Sequence, residues 1–404
     1  MSIFRALSQR SFALLWSGQT LSRLGDSLYN IALAWWVLEK TGSAAAMGVV
    51  LIFSMVPTLL FLLVGGVVVD RLPRLRLMLA SDLLCGLVVG LIALLAFQQW
   101  LALWHVFVMS AIFGFAQAFF YPAYRAVIPD IVPAESLPGA NSLRTISLQV
   151  AQIIGPGIAA AIVALGGTAL AFALDGVSFV ISAACLLAMP HVPLQGRSDT
   201  AKPSSVLQDL RAGFSAVLQS PWLWVTIAIA CFSTIFVSGP LEAALPLLVK
   251  QDFGENVSIF ALLTSLSAIG SIIAALVLGH FKRLRWRGWL TYGAWLVASL
   301  MLLAMGLPIS VVGVGVAIFV QGAMFSMLGL AWINTLQEFV PSDLQGRVAS
   351  IDEWGSAALV PVGLALAGIA ADWMGAAPVF VWGGVISAAI IALGLLHPAI
   401  RAVD

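Results

Sequence analysis

The sequence predicts an all-α polytopic membrane protein with twelve transmembrane helices in two pseudo-symmetric six-helix bundles. Of its 404 residues, 61% are hydrophobic and only 9% are charged, whereas soluble domains carry about 25% charged residues. Twelve apolar segments follow one another along the chain. Each has roughly 20 residues, the length that crosses about 30 Å of hydrocarbon. One long polar interval separates the sixth segment from the seventh, which divides the chain into two halves.

The segments give the expected helices and domains. They begin near Phe12, Ala44, Arg76, Leu101, Ser142, Ala169, Trp222, Val257, Gly288, Ile309, Val348 and Ala377. We expect an N-terminal six-helix bundle over 1–189, a cytoplasmic linker over 190–220 and a C-terminal six-helix bundle over 221–404. The stretch 1–10 runs directly into the first segment, so we expect no signal peptide.

Positive charges predict the orientation of the chain in the membrane. With an even number of crossings, both termini, the central interval and every even-to-odd loop share one face. That face holds 16 of the 19 Lys and Arg residues, and loops rich in Lys and Arg stay in the cytoplasm. We therefore expect a multi-pass protein of the bacterial cytoplasmic (inner) membrane with both termini in the cytoplasm.

Composition argues against several other classes of protein. The net charge of +1 does not point to a nucleic-acid partner, and we expect none. The three cysteines lie inside apolar segments, where they act as small hydrophobic residues. The four histidines stand far apart, and no His, Cys or acidic cluster has the spacing of a metal site or a catalytic triad. We expect a monomer in the lipid bilayer without catalytic residues, metal or cofactor, and therefore not an enzyme.

The loop between the second and third segments gathers charge in a short space. Asp70 and Arg71 are followed by Arg74 and Arg76, and Gly66 lets a neighbouring backbone approach closely. One interpretation is an ordinary basic cytoplasmic turn. The pattern of Gly, three residues, Asp-Arg, two residues and then basic residues also resembles the signature between helices 2 and 3 of the major facilitator superfamily.

Other motifs extend this resemblance across nearly the whole chain. They are Trp16-Ser17-Gly18-Gln19, Glu39-Lys40-Thr41-Gly42-Ser43-Ala44, Val69-Asp70-Arg71, Val132-Pro133-Ala134-Glu135, Gln337-Glu338 and Gly346-Arg347-Val348. Together they are similar to the macrolide-efflux and enterobactin-exporter branch of proton-coupled drug exporters. The resemblance implies the major facilitator fold and an antiporter that exports small amphipathic or cationic drugs in exchange for protons, by alternating access.

The two halves also resemble each other. Val132-Pro133-Ala134-Glu135 after the fourth segment matches Val340-Pro341-Ser342-Asp343 after the tenth. An offset of about 212 residues pairs Asn30 in the first segment with Glu242 in the seventh. Internal repeats of this kind are typical of secondary transporters, whose binding sites lie near the bilayer midplane.

The fifth segment carries a partial version of a superfamily antiporter signature. The signature reads Gly, eight residues, Gly, three residues, Gly-Pro, two residues and Gly-Gly. Here the corresponding positions are all small and favour close helix packing: Ser142, Ala151, Gly155, Pro156, Ala159 and Ala160. A generic packing face explains the pattern equally well.

Charges inside the apolar segments are candidates for proton coupling, because an ionised side chain at mid-bilayer costs about 2.5 kcal/mol or more. Arg23 and Asp26 are three residues apart on the first segment, so they share a face and partly neutralise each other. Glu242 lies between Pro240 and Pro246, which loosen the helix. We expect Glu242 to carry the proton and Asp26 to couple it to conformational change; fixed ion pairs or snorkelling are the structural alternatives.

A second group of charges lies near the cytoplasmic surface. Arg125, Arg144, Asp352 and Glu353 are candidates for a cytoplasmic gate, with snorkelling as the alternative. We expect Asp70 to stabilise the outward-open state, because its contacts with basic residues and a helix N-terminus need a closed cytoplasmic side.

Candidate residues for the substrate cavity are polar or aromatic: Asn30, Phe119, Phe120, Tyr121, Tyr124, Phe236 and Asn334. Interfacial anchoring is the alternative for any single aromatic side chain. Two other functions stay open. An exporter of a siderophore or another metabolite would need more basic residues in the cavity than Arg23, and a lipid or lysolipid flippase would need polar residues along a lateral opening.

Overall fold

The computed structural model describes residues 3–190, 214–254, 256–279, 286–341 and 344–401. These residues are almost entirely helical and contain no β-strand. The chain forms two compact units. The first comprises Met1–Gly42, Val49–Arg197 and Val257–Ser265, and the second comprises Ser43–Gly48, Ser198–Asn256 and Leu266–Asp404. Most of the predicted linker, 191–213, lies outside the described residues, so the predicted domain boundaries stay a prediction.

The first five long helices follow the predicted apolar segments closely. They are α1 (Arg10–Thr41), α2 (Ala44–Arg71), α3 (Arg74–Phe97), α4 (Leu103–Ile131) and α5 (Leu137–Leu187), with short 3-10 turns at Ile3–Ser8 and Ala134–Ser136. Helix α5 has 51 residues and contains Gly167 in a non-helical conformation, with φ of 74° and ψ of 176°. A residue with a Cβ rarely adopts such a φ. Gly167 therefore separates the predicted fifth and sixth crossings.

The second half of the chain begins with a helix that is interrupted. The sequence runs from α6 (Pro221–Gly239) through a π-helical turn (Pro240–Ala244) into α7 (Leu245–Phe253). Pro246 has no backbone N–H to donate to the carbonyl of Glu242, so regular α-helical bonding fails there. The remaining helices are α8 (Val257–Gly279), α9 (Arg287–Met305), α10 (Val311–Phe339), α11 (Gln345–Ala357), α12 (Val360–Met374), α13 (Ala376–Leu395) and α14 (Pro398–Arg401).

The number of crossings agrees with the twelve that the sequence predicts. Ten described helical stretches are long and apolar enough to cross a membrane. One of them is the 51-residue α5, which is long enough for two crossings. Helix α1 is also long enough, with 32 residues, although Arg23 and Asp26 make it less apolar. The protein is therefore an all-α, multi-pass membrane protein.

Both units contain the same kind of contact between helices, a hydroxyl that donates to the carbonyl of a glycine. In the first unit, the Thr58 hydroxyl on α2 donates to the carbonyl of Gly114 on α4 over 2.9 Å. In the second unit, the Ser271 hydroxyl on α8 donates to the carbonyl of Gly322 on α10, also over 2.9 Å. Both glycines lie against the backbone of the neighbouring helix, where a Cβ would overlap a carbonyl oxygen. The internal repeat in the sequence thus corresponds to a repeat in helix packing.

The small residues of α5 form a packing face for α1. Ala151, Gly155, Pro156, Ala159 and Ala160 are buried, while Ser142 is half-buried. A Cβ at Gly155 would come within 2.5 Å of the Ser27 side chain, and the Ser27 hydroxyl donates to the Ala151 carbonyl over 3.3 Å. Close packing accounts for the predicted small-residue motif at these positions.

Candidate functional site

A small polar cavity lies inside the first unit, among helices that are otherwise apolar. Its free volume is about 10 Å³, close to the space that one water molecule needs. Nine residues from α1, α3, α4 and α5 line it: Gln19, Ser22, Arg23, Asp26, Asp82, Cys85, Gln117, Phe120 and Phe179. One guanidinium and two carboxylates therefore share a single cavity.

Arg23 and Asp26 approach each other across one turn of α1, as their spacing predicts. Arg23 Nη1 lies 3.9 Å from Asp26 Oδ2, and about a fifth of each side chain is exposed. The Arg23 guanidinium lies 5.4 Å from the centroid of the Tyr121 ring, and Nη1 donates to the Tyr121 hydroxyl over 3.4 Å. Asp26 Oδ1 is buried and accepts no hydrogen bond from the described residues. The ion pair is thus long and leaves one carboxylate oxygen unsatisfied.

A second carboxylate, Asp82 on α3, is held by a directed chain of hydrogen bonds. The Gln19 Nε2 amide donates to Ser182 Oγ over 2.7 Å, and Ser182 Oγ donates to Asp82 Oδ2 over 2.6 Å. An amide nitrogen has no acceptor lone pair, so the single hydroxyl proton of Ser182 must point at Asp82. All three side chains are buried, with Asp82 only 2% exposed.

A third acid, Asp175 on α5, lies beside α1 but does not line the cavity. It is fully buried. Ser178 Oγ donates to Asp175 Oδ1 over 3.2 Å, while Oδ2 has no hydrogen-bond partner in the described part of the chain. A Cβ at Gly25 would overlap Asp175 Oδ1, so the glycine is what lets the carboxyl lie against α1.

Asp82 and Asp175 are not among the predicted site residues, although the sequence carries a signal for them. Both acids interrupt predicted apolar segments, as Asp26 does, and charge inside such a segment is a functional indicator. Gln19 was noticed only as part of a family motif, and Ser182 had no signal of its own in the sequence. Their hydrogen-bonded chain links three helices that are far apart in sequence.

The predicted aromatic cavity residues separate into different environments. Phe120 lines the polar cavity and stacks on Tyr124 with ring centroids 5.9 Å apart. Tyr121 contacts Arg23, but Phe119 packs edge-on against Phe115 instead. The remaining candidates lie outside the polar cavity: Asn30 and Asn334 are exposed, and Phe236 lines an apolar groove of the second unit.

Glu242 lies in the π-helical turn of the second unit, and its side chain is exposed. Its neighbours in the turn, Pro240, Ala243 and Ala244, are buried.

One basic residue of the predicted motif after α2 has an acidic partner on α4. We expected Arg74 to support Asp70, but Arg74 Nη1 forms an ion pair with Asp130 of α4 and donates to the Ala126 carbonyl over 2.8 Å. Asp130 was not anticipated. Arg76 is exposed, and the side chains of Gly66, Asp70 and Arg71 lie outside what the structure describes.

The four predicted gate residues are placed as follows. Asp352 on α11 accepts a hydrogen bond from Trp332 Nε1 over 2.8 Å. Glu353 and Arg125 are exposed, while Arg144 is half-buried. A cytoplasmic gate built from these residues stays a prediction.

The protein has twelve apolar crossings, a packing contact repeated in both halves and a polar cavity within one half. These features are typical of secondary transporters built from internal repeats. Comparison with known proteins gives the family. The family model described as Major Facilitator Superfamily matches residues 15–358, and the chain belongs to this family.

Two curated relatives match almost from end to end. Macrolide efflux protein A of Streptococcus pyogenes is 25% identical over 398 residues, covering 96% of each chain. The multidrug efflux pump Tap of Mycolicibacterium fortuitum is 28% identical over 396 residues, covering 94% of each chain. The predicted resemblance to the superfamily and to efflux proteins is therefore confirmed.

Solved structures agree on the fold. A bacterial homologue of the iron transporter ferroportin, in an inward-facing state, has a TM-score of 0.73 at 15% identity, covering 96% of this chain and 99% of that one. A POT family transporter in complex with 5-aminolevulinic acid has a TM-score of 0.74 at 13% identity, covering 95% of each chain. Membership of a family of transporters also agrees with the expectation that the chain is not an enzyme.

Proposed function

We propose that the chain is a proton-coupled antiporter that exports amphipathic or cationic drugs by alternating access. The observation that carries the drug-export part is the similarity, over 96% of both chains, to a macrolide efflux protein. The distribution of Lys and Arg supports an orientation with both termini in the cytoplasm. Export then moves the drug out of the cell as protons enter.

The polar cavity supports proton coupling. A membrane transporter that uses protons needs carboxylates that gain and lose them inside the membrane, and such groups are otherwise costly there. Asp26 combines an incomplete ion pair with a buried oxygen that has no hydrogen-bond partner among the described residues. Arg23 can therefore release Asp26 at little cost when a proton arrives. Asp26 is our candidate for conformational coupling.

Glu242 is our candidate for the proton carrier. It is an exposed acid on the π-helical turn of the second unit. An exposed carboxylate on a membrane helix can meet a cationic substrate directly. It can then release a proton as the cation arrives. A π-helical turn beside it is consistent with such a role, because these turns occur often at functional sites.

Reconstituted vesicles test the proposal. With an acidic lumen, outward proton flow should drive accumulation of ethidium and erythromycin. Glu242→Gln and Asp26→Asn should abolish accumulation while retaining downhill exchange, because binding survives without proton exchange. Asp252→Asn, an exposed acid at the end of α7, is the matched control and should behave as the natural sequence.

Two outcomes contradict the proposal. The natural sequence could fail to accumulate either probe under any proton gradient, which would remove drug–proton antiport. Alternatively, Glu242→Gln and Asp26→Asn could both keep full pH-driven accumulation. The proton would then travel elsewhere, with Asp352 and Glu353 as the next candidates.

A further inference from the structure

We propose that Asp26 and Asp82, together with Arg23, form one proton-binding site across the polar cavity. A single proton passes between the two carboxylates, and Arg23 neutralises whichever one is ionised. The inference rests on the proposed proton coupling and adds Asp82 as a second proton-carrying residue.

Charge balance is the first argument. Asp26, Asp82 and Arg23 all line the same cavity. If both carboxylates were ionised, one negative charge would lack a partner inside the bundle, and an unpaired buried charge is strongly unfavourable. One bound proton leaves one carboxylate and one guanidinium, which balance each other.

Arg23 is the one cation among the residues that line the cavity. Cys85 on α3 and Asp175 on α5 interact electrostatically with Asp26, and Tyr121 and Tyr124 on α4 interact with Arg23. Arg144 on α5 acts on Tyr124 but does not line the cavity. Cysteine and tyrosine are neutral in their protonated forms. Asp175 is fully buried and does not line the cavity, so we assign it no part in the proton exchange.

The hydrogen-bond chain gives Asp82 a defined place for the proton. Ser182 donates to Asp82 Oδ2, and Gln19 fixes the direction of that hydroxyl by donating to Ser182. Oδ2 is therefore an acceptor, and the exchangeable proton resides on Oδ1. Gln19 and Ser182 are positioning residues in this site.

The difference in exposure of the two acids gives the order of events. Asp26 is 23% exposed and Asp82 only 2%. A proton binds first to the Asp26 carboxylate and breaks its long contact with Arg23. It then crosses the cavity to Asp82 Oδ1, and the Arg23–Asp26 pair re-forms. The proton leaves by the reverse path, so the step consumes one proton and releases one.

Infrared difference spectroscopy of the reconstituted protein tests the site directly. Between acidic and alkaline buffer, the natural sequence should lose the C=O band of one protonated carboxyl group. Asp82→Asn and Asp26→Asn should each abolish this band completely, because each leaves one carboxylate balanced by Arg23. Asp175→Asn is the matched control, equally buried but outside the cavity, and should keep the full band.

The outcomes separate the inference from the proposed function. A full band in Asp82→Asn means that Asp26 acts alone, and half the band in each single variant means two independent sites; either result overturns the proposal. If the band behaves as expected but ethidium is not accumulated by the natural sequence, the proposed function fails and the site stands.

Arg23→Gln keeps the test decisive if Asp82→Asn does not fold. With the cation removed and both carboxylates present, the pair should hold its proton into more alkaline buffer, whereas Arg23→Lys should keep the original profile. An unchanged profile in Arg23→Gln overturns the proposal.

Discussion

The two halves of this transporter share their packing, but they differ in the groups that form their buried hydrogen-bonded chains. In the first unit, Ser182 lies at the centre of a buried chain with Gln19 and the carboxylate of Asp82. In the second unit, Ser387 lies at the centre of a buried chain with the hydroxyls of Ser233 and Ser299, at 2.7 and 2.8 Å. Each chain links the first, third and sixth crossings of its half.

This difference shows which features an internal repeat can vary. Helix contacts constrain the size and shape of residues such as Gly114 and Gly322, so both halves retain them. A buried hydrogen-bonded chain needs matching donors and acceptors, but these can be neutral or ionisable. The first unit uses an acid and gains a group that can bind a proton. The second unit uses only hydroxyls and gains a connection between helices that does not depend on pH.

The largest effect we expect is on the packing that both halves share. Gly114→Ala and Gly322→Ala should each lower stability by about 1–3 kcal/mol, because the new Cβ overlaps a backbone oxygen that cannot rotate away. The stability of both variants is measured by thermal unfolding in detergent. Gly329→Ala, in the same helix as Gly322, and Gly157→Ala in α5 have open space at the Cβ position, and neither should destabilise the protein. If only one of Gly114→Ala and Gly322→Ala lost stability to this extent, the two halves would not share this packing contact.

An intermediate effect, the difference in stability loss between two serine variants, should distinguish the two buried chains. Ser182→Ala should cost about 1.5–3 kcal/mol, because it removes a hydrogen bond to a carboxyl group, whereas Ser387→Ala should cost about 0.5–1.5 kcal/mol. The two melting temperatures are compared in one detergent. Repeating Ser182→Ala in an Asp82→Asn background should reduce its cost toward that of Ser387→Ala. Equal costs in the natural background would show that the acid does not distinguish the halves.

The smallest expected effect concerns Glu242. Its side chain is exposed on the π-helical turn, so Glu242→Gln should change stability by no more than about 0.5 kcal/mol. Asp82→Asn, at a buried hydrogen-bonded position, should change it by more. Thermal unfolding of the two variants under identical conditions ranks them. A larger loss for Glu242→Gln would mean that this acid supports the fold and is not free to exchange protons.

The sequence by itself determined the class of protein. Runs of about 20 apolar residues must form helices in a bilayer, because the backbone finds no other hydrogen-bond partners there. The helices accordingly begin within a few residues of the predicted positions, including Ala44 and Val257. The Arg23–Asp26 pair was also predictable, since a three-residue spacing places both side chains on one face of a helix.

Only the tertiary structure decided which charges meet. Asp82 and Ser182 are 100 residues apart in the chain, so no local period connects them. Arg74 pairs with Asp130, which lies 56 residues further along the chain on another helix. Helical geometry determines neighbours within three or four residues, whereas contacts between helices depend on how their faces pack. The polar cavity exists because α1, α3, α4 and α5 each place one or more polar side chains at the same point of that packing.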